Sequence, residues 1–301
     1  LAALLINFNP RQEPLMNRIV YLNGQYLPEQ EAKVSIFDRG FLFADAVYEV
    51  TAVINGKLLD NAGHMARLER SCRELQLTLP VSVAALQGIQ EQLIALNRLD
   101  EGAIYLQLSR GSTGDREFDF PATAVTPTLM LFTQARPVIH HAKATSGIKV
   151  VTVDDIRWHR RDIKTVGLLA PCLAKEIAHA QGADDAFLVE NGMITEGSSC
   201  NAWIVTEQGT LVTRQLSADI LHGITRQSLL QLAERHGIPF EERAFSVEEA
   251  YRASEAFISS ATTFVWPVVQ IDGKPVGDGR PGPVTQALRA IYVAMALKAT
   301  A

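Results

Sequence analysis

The stretch WHRRDIKTVGLLAPCLAKE, Trp158 to Glu176, sets Lys164 at a chemical seam. Arg157, His159, Arg160 and Arg161 precede it, with Asp162 the single acid among them, and the almost chargeless run TVGLLAPCLA follows. Neighbouring cations and desolvation both favour the neutral form of an amine. A neutral lysine can form a Schiff base. A solvated lysine at a strand end is the alternative that this stretch alone leaves open.

Working outward, four dipeptides mark tight hairpins: Asn23-Gly24, Asn55-Gly56, Asn191-Gly192 and Asp272-Gly273. Each lies between short β-branched or aromatic runs and supplies the positive φ angles such turns need. Helical spacing joins Met65, Leu68, Cys72 and Leu75, and again Leu86, Ile89, Leu93 and Leu96. Gly237 closes a helix through TRQSLLQLAERHG, Ser246 with Glu249 forms a capping box, and Pro283 to Leu297 is a terminal helix. The segment Ala135–Gly147 follows neither period. The architecture expected is α+β in two domains, residues 17–137 and 148–301, with 138–147 as linker and antiparallel strands with helices in each. Residues 1–16 are taken as a leader or terminal extension of little order, with Met16 a natural initiator.

The chain has 301 residues, 47% hydrophobic and 20% charged, with a net charge of −5. That composition suits a globular protein with a sizeable core, and it argues against nucleic acid or a membrane surface as the main partner. No apolar run approaches the roughly 20 residues a membrane helix needs. Cys72, Cys172 and Cys200 form no CxxC pair, so neither a disulfide framework nor a metal site is expected, and a reducing cytoplasm is.

Other stretches carry polar groups suited to binding. In MITEGSSCNAWIV a strand bends at Glu196, which could face a bound cation. In DILHGITRQSLLQL, Gly223 precedes a helix whose first N–H groups lack intrahelical partners and favour an anion, with the Thr225 hydroxyl beside them. ISSATTFVWPV clusters Ser259, Ser260, Thr262 and Thr263, and HMARLER sets Arg67 at an expected helix start, against the dipole. Each has an ordinary structural alternative: a cap, a turn or a surface arginine.

Their order is more specific than any one of them. DRGFLFADAVYEV, HMARLERS, DIK, TEGSSCN, LHGITR and SSATT succeed one another over roughly Ile19 to Gly279. In this the chain resembles the fold-type IV pyridoxal-phosphate enzymes, and among them the D-amino acid aminotransferases most closely. The resemblance implies pyridoxal 5′-phosphate as cofactor, Lys164 as its Schiff-base lysine and proton carrier, and Glu196 as the carboxylate on the pyridine nitrogen. It implies Arg67, Ile224, Thr225 and Thr262 as phosphate ligands, Leu221 as the apolar wall of the ring, and Tyr48 on the substrate side. It also implies a homodimer, an amino donor and a 2-oxo acid acceptor as partners, and ping-pong transamination.

Two departures stand out. Where the D-amino acid enzymes carry an Arg-x-His pair for the substrate carboxylate, SRGSTGDREFDFP offers Arg116 but has Phe118 in place of the histidine and is one residue longer. Gly167 stands where the pattern often has Asn. Arg161 is the next candidate for the carboxylate. The alternatives are an (R)-selective amine transaminase, then a branched-chain aminotransferase or an aminodeoxychorismate lyase; a non-catalytic binding protein would not need the Lys164–Glu196–Arg67 set.

Overall fold

The computed structural model describes residues 18–301; the expected leader, residues 1–16, lies outside the described residues. All four expected hairpin dipeptides turn with positive φ at both positions. Asn23-Gly24 folds β1 (Ile19–Leu22) onto β2 (Gln25–Pro28). A short helix α1 (Arg39–Phe43) follows, capped by Asp38, and leads into β3 (Ala46–Ile54). Asn55-Gly56 returns β3 onto β4 (Lys57–Leu58). Helices α2 (Asn61–Glu74) and α3 (Val83–Leu96) then precede β5 (Gly102–Ser109) and β6 (Thr128–Ala135). The six strands pair in the order β2-β1-β6-β5-β3-β4.

The two longer helices cover one face of this sheet. Met65, Leu68 and Cys72 of α2 and Leu86 and Leu93 of α3 pack on Val47, Val53, Ile104 and Leu106. Leu96, expected on that face, is 43% exposed. Leu93 and Ile94 already fill the inner side of the last turn, and Gln90 turns inward to accept from Asn61 Nδ2 at 3.1 Å.

The segment expected as a structureless linker contains a single-turn helix, α4 (Ala142–Ser146). The His141 ring caps it, accepting from the Lys143 N–H at 3.2 Å, and lies 4.5 Å from the Trp266 ring. Val138 is fully buried.

A ten-stranded sheet follows. Strand β7 (Ile148–Asp154), helix α5 (Leu169–Ala180) and strand β8 (Asp185–Glu190) form a crossover unit, so β7 and β8 run parallel. Parallel neighbours need such a long connection, and Lys164 lies inside it. Then come β9 (Met193–Gly197), β10 (Asn201–Val205), β11 (Leu211–Thr213) and helix α6 (Ile224–Arg235). Strands β12 (Phe240–Glu242) and β13 (Phe245–Ser246), helix α7 (Val247–Arg252), and strands β14 (Glu255–Ser260), β15 (Phe264–Ile271) and β16 (Lys274–Pro275) lead to α8 (Pro283–Ala299). The order is β12-β11-β10-β14-β15-β7-β8-β9-β13, with β16 on β15. This sheet is mixed rather than antiparallel throughout, because β7 pairs in parallel with both β8 and β15, and β11 does so with β12. The capping box at α7 is half formed: Ser246 Oγ accepts from the Glu249 N–H, but the Glu249 carboxylate binds Arg243.

One apolar cluster spans both parts of the chain. Ala52, Ile54, Leu59 and Val138 pack with Trp203, Phe257, Leu288 and Tyr292. At its margin Asp60, the residue before α2, accepts from Ser228 Oγ of α6 at 3.0 Å and from Tyr292 Oη of α8 at 2.9 Å. This carboxylate thus ties three helices together. Tyr292→Phe is expected to lower stability by about 1.5–3 kcal/mol, as for a lost hydrogen bond to a charged group. A denaturant midpoint equal to that of wild type would show that Asp60 does not depend on the phenol.

Candidate active site

The inner face of α2 organises the site. His64, Arg67 and Ser71 recur at helical spacing, with Arg70 beside them. Arg67 is in the middle of α2 rather than at a helix start, because the helix begins at Asn61. Its charge is compensated by Glu49 of β3. Nε and Nη2 of Arg67 donate to the two Glu49 oxygens at 2.8 and 2.7 Å, and Nη1 donates to the His222 carbonyl at 2.9 Å. Burial pushes the Glu49 carboxyl up, but Arg67 and His64 outweigh it and hold it at about 2. His64 Nδ1 lies 2.8 Å from Glu49 Oε2, and burial keeps that imidazole below its usual range, hence neutral.

The same helix face holds the lysine segment. Arg70 donates to the Asp162 carbonyl and carboxylate, and Ser71 Oγ accepts from the Lys164 N–H at 3.4 Å. The Lys164 carbonyl accepts from the Tyr48 N–H at 3.0 Å, so the lysine backbone docks against β3. Lys164 Nζ sits 4.2 Å from the centre of the Tyr48 ring and has no hydrogen-bond or ion-pair partner among the described residues. The surrounding cations expected to act on it are themselves paired. Arg157 binds Asp155 and Glu196, Arg160 binds Asp162 and Glu74, and Arg161 binds Glu190 and Asp155. The clustered arginines therefore serve both local acids, Asp155 and Asp162, and carboxylates distant in sequence, Glu74, Glu190 and Glu196. Arg161, buried in that network, is not free to act as the alternative carboxylate ligand.

Glu196 lies at the end of β9, fully enclosed. Arg157 Nη1 donates to Oε1, Asn201 Nδ2 to Oε2 at 3.2 Å, and the Leu221 N–H to both oxygens at 3.3 and 3.2 Å. Burial pushes this carboxyl up, and the Arg157 and Leu221 contacts offset only part of that. Asn201 also donates to the Leu221 carbonyl at 3.0 Å, which fixes Leu221 at the start of the loop into α6. Gly223 is required there: a Cβ would meet Asn201 Oδ1 at 2.0 Å.

Helix α6 starts immediately after Gly223, without a side-chain cap. Among the described residues, the N–H groups of Ile224 and Thr225 have no acceptor. Arg67 reaches the carbonyl one residue before Gly223, so a guanidinium and a helix N-terminus meet in one place. Thr262 lies in the turn from β14 to β15, and its Oγ1 accepts from Arg136 Nη2 at 3.4 Å. Ser259, three residues earlier, pairs with Asn201, which brings that turn towards the α6 loop.

Tyr48 stacks on Tyr105, and Tyr105 on Phe132, with centroids 5.5 and 4.8 Å apart. Arg116 lies on the loop between β5 and β6, with Cζ 5.2 Å from the Phe43 ring and 4.8 Å from the Phe118 ring. At Gly167 an added Cβ would meet nothing closer than 3.7 Å, so the missing side chain leaves no packing demand. Glu49, Arg157 and Asn201 were not singled out from the sequence. Glu49 had a signal, since an acid inside the apolar strand AVYEVTAV needs a buried cation. Asn201 ends the TEGSSCN motif and Arg157 is one of the cations before Lys164, but neither carried a sign that it binds Glu196.

The family described as Amino-transferase class IV matches residues 46–271. The chain belongs to this fold-type IV family of aminotransferases. D-alanine aminotransferase from Staphylococcus aureus (strain COL) is 40% identical over 272 residues, 90% of this chain and 95% of that protein. D-alanine aminotransferase from Bacillus licheniformis is 38% identical over 268 residues, 89% and 93% of the two chains. The crystal structure of Escherichia coli branched-chain amino acid aminotransferase matches with a TM-score of 0.86 at 23% identity, over 93% of this chain and 95% of that one, a likeness of fold.

The Glu49 carboxylate makes a prediction about acid. Its pKa is depressed from 4.5 to about 2 on folding, so its contribution is fully present above about 4.5 and lost as pH falls through about 2. That amounts to about 3 kcal/mol across the window. Stability measured by denaturant from pH 5 to 2 should fall more steeply in wild type than in Glu49→Gln; parallel curves would exclude the pair as the cause.

Proposed function

We propose that this chain transaminates D-amino acids to 2-oxo acids with a 2-oxo acid acceptor, using pyridoxal 5′-phosphate. The observation that carries the reading is an unpartnered amine, Lys164 Nζ over Tyr48, together with Arg67 at the start of α6 and the enclosed Glu196 carboxylate bonded to Leu221 of the same loop. The D-hand rests on the two D-alanine aminotransferases, whose likeness runs through nearly the whole chain.

The residues fit the cofactor. Arginine has five N–H donors, and Arg67 uses three of them, leaving two for a phosphate next to the free Ile224 and Thr225 N–H groups. Thr262 adds a hydroxyl, Leu221 supplies an apolar wall, and Glu196 is the anionic partner for the ring nitrogen. Bound pyridoxal phosphate supplies an aldehyde that exchanges amines and a ring that accepts electrons. Lys164 Nζ holds the cofactor between turnovers, removes the α-proton of the amino donor and later returns it. Arg157 and the Leu221 N–H keep Glu196 oriented while burial excludes water from it. Tyr48 borders the place where the substrate meets Lys164, and Arg116 binds its carboxylate.

A second reading, side activity on (R)-amines, is supported by Phe118 in place of a histidine, which leaves one fewer donor for a carboxylate. The same proposal includes a homodimer. Leu169, Leu173 and Ile177 form an exposed apolar stripe along α5, and Phe41 and Phe118 are also exposed, which suits coverage by a second copy. Residues 17–137 and 148–301 are read as its two domains. Three free cysteines suit a reducing cytoplasm.

Borohydride treatment of the purified yellow protein should fix the cofactor to Lys164, and Lys164→Ala should keep cofactor while losing transamination by about two to four orders of magnitude. An adduct at Lys149 or Lys175 would overturn the assignment. D-alanine should convert the bound cofactor to its amino form, as followed by absorbance, with L-leucine far slower and (R)-1-phenylethylamine detectable. Faster conversion by L-leucine than by D-alanine would move the chain to the branched-chain reading.

A further inference from the structure

A buried guanidinium apart from the residues read as the cofactor site bonds the loop that carries Arg116. Arg39, at the start of α1, is 3% exposed. Its Nε donates to Asp45 Oδ2 at 2.8 Å. Its Nη1 donates to the carbonyls of Glu117 and Asp119 at 2.6 and 3.2 Å, and Nη2 to that of Phe118 at 3.3 Å. Three consecutive carbonyls are thus gathered by one planar fork. The stretch from Ser112 to Pro127 has no regular secondary structure beyond an isolated bridge at Ser112, so these bonds supply order that a ladder would otherwise give. Aromatic contacts tighten them. Phe43 lies 4.7 Å from the Arg39 guanidinium, and Phe120 lies 3.9 Å from that of Arg110.

Asp45 connects this clamp to the site. Its carboxylate also binds Arg110 Nε and Nη2 at 2.7 and 3.0 Å, and its N–H donates to the Arg39 carbonyl. The next residues are Ala46, Val47 and Tyr48 on β3. The loop bearing Arg116 is thereby registered against the strand bearing Tyr48.

We propose that Arg39 is a positioning residue for substrate recognition, whose guanidinium fixes the 115–120 loop so that Arg116 discriminates amino acids from plain amines. The proposal rests on the reading of Arg116 as the carboxylate ligand. Lysine can keep the charge opposite Asp45 but cannot span three carbonyls with a planar fork, so Arg39→Lys releases the loop and retains the fold.

The test uses the holoenzyme. Trypsin cuts after arginine, and Arg116 is exposed on an irregular loop, yet wild type should resist cleavage there. Arg39→Lys should be cut after Arg116 several-fold faster, with the cofactor absorption band unchanged. Its KM for D-alanine should rise on the order of tenfold to a hundredfold, as displacement of a positioning group would produce, with kcat and (R)-1-phenylethylamine turnover little changed. Adding Arg39→Lys to Arg116→Ala should raise KM no further. Rapid wild-type cleavage at Arg116, equal losses on D-alanine and the amine, or additive KM effects would each overturn the proposal. An Arg116→Ala variant with unaltered D-alanine KM removes the ligand assignment and the recognition role together; faster trypsin cleavage of Arg39→Lys would still identify the clamp, which tells the two failures apart.

Discussion

The buried pair of Glu49 and Arg67 is the contact on which the site depends. Arg67 lies where a helix N-terminus already contributes positive potential, and a cation placed there alone would be repelled as well as desolvated. Glu49 answers both costs with two hydrogen bonds at the far side of the guanidinium. Arg67 Nη1 reaches the His222 carbonyl, next to the uncapped start of α6. Because His64 is neutral, its contact with Glu49 adds a hydrogen bond without adding a second cation. The pair also joins β3 to α2, and the His222 carbonyl extends that connection to the start of α6.

A second constraint is the parallel pairing of β7 with β8. It obliges the chain to cross over between them, and Lys164 lies in that crossover. The crossover is held at Asp162 and Lys164, by Arg70 and Ser71 of α2 and by the backbone of Tyr48. Glu196 comes to the same region from β9, next to β8, while Asn201 at the start of β10 secures Leu221. Catalytic candidates about thirty residues apart in sequence are thus brought together by strand order.

Local chemistry was the most legible part of the sequence. Asn-Gly and Asp-Gly turns require positive φ wherever they fold, and all four did so. Apolar spacing identified α2 and most of α3, but Leu96 faced solvent once Gln90 found Asn61. Charges were the least legible. Arg157, Arg160 and Arg161 look like an unpaired cationic cluster in sequence, yet each binds a carboxylate brought close by folding. A linear reading cannot count such neutralisation, because a counter-ion 29 to 86 residues away looks no different from a solvated one.

The sequence by itself determined the hairpins, most of the helix faces and, through the order of its motifs, the family, and it singled out Lys164, Glu196 and Arg67 as candidates. Those features depend on neighbours within a few residues or on residue identity alone. Only the tertiary structure decided that Glu49 compensates Arg67, that Arg157 and Asn201 hold Glu196, and that Arg39 grips the Arg116 loop. Each of these joins residues from separate strands, helices or loops, and burial makes an ion pair or hydrogen bond strong only after the whole fold has excluded water from it.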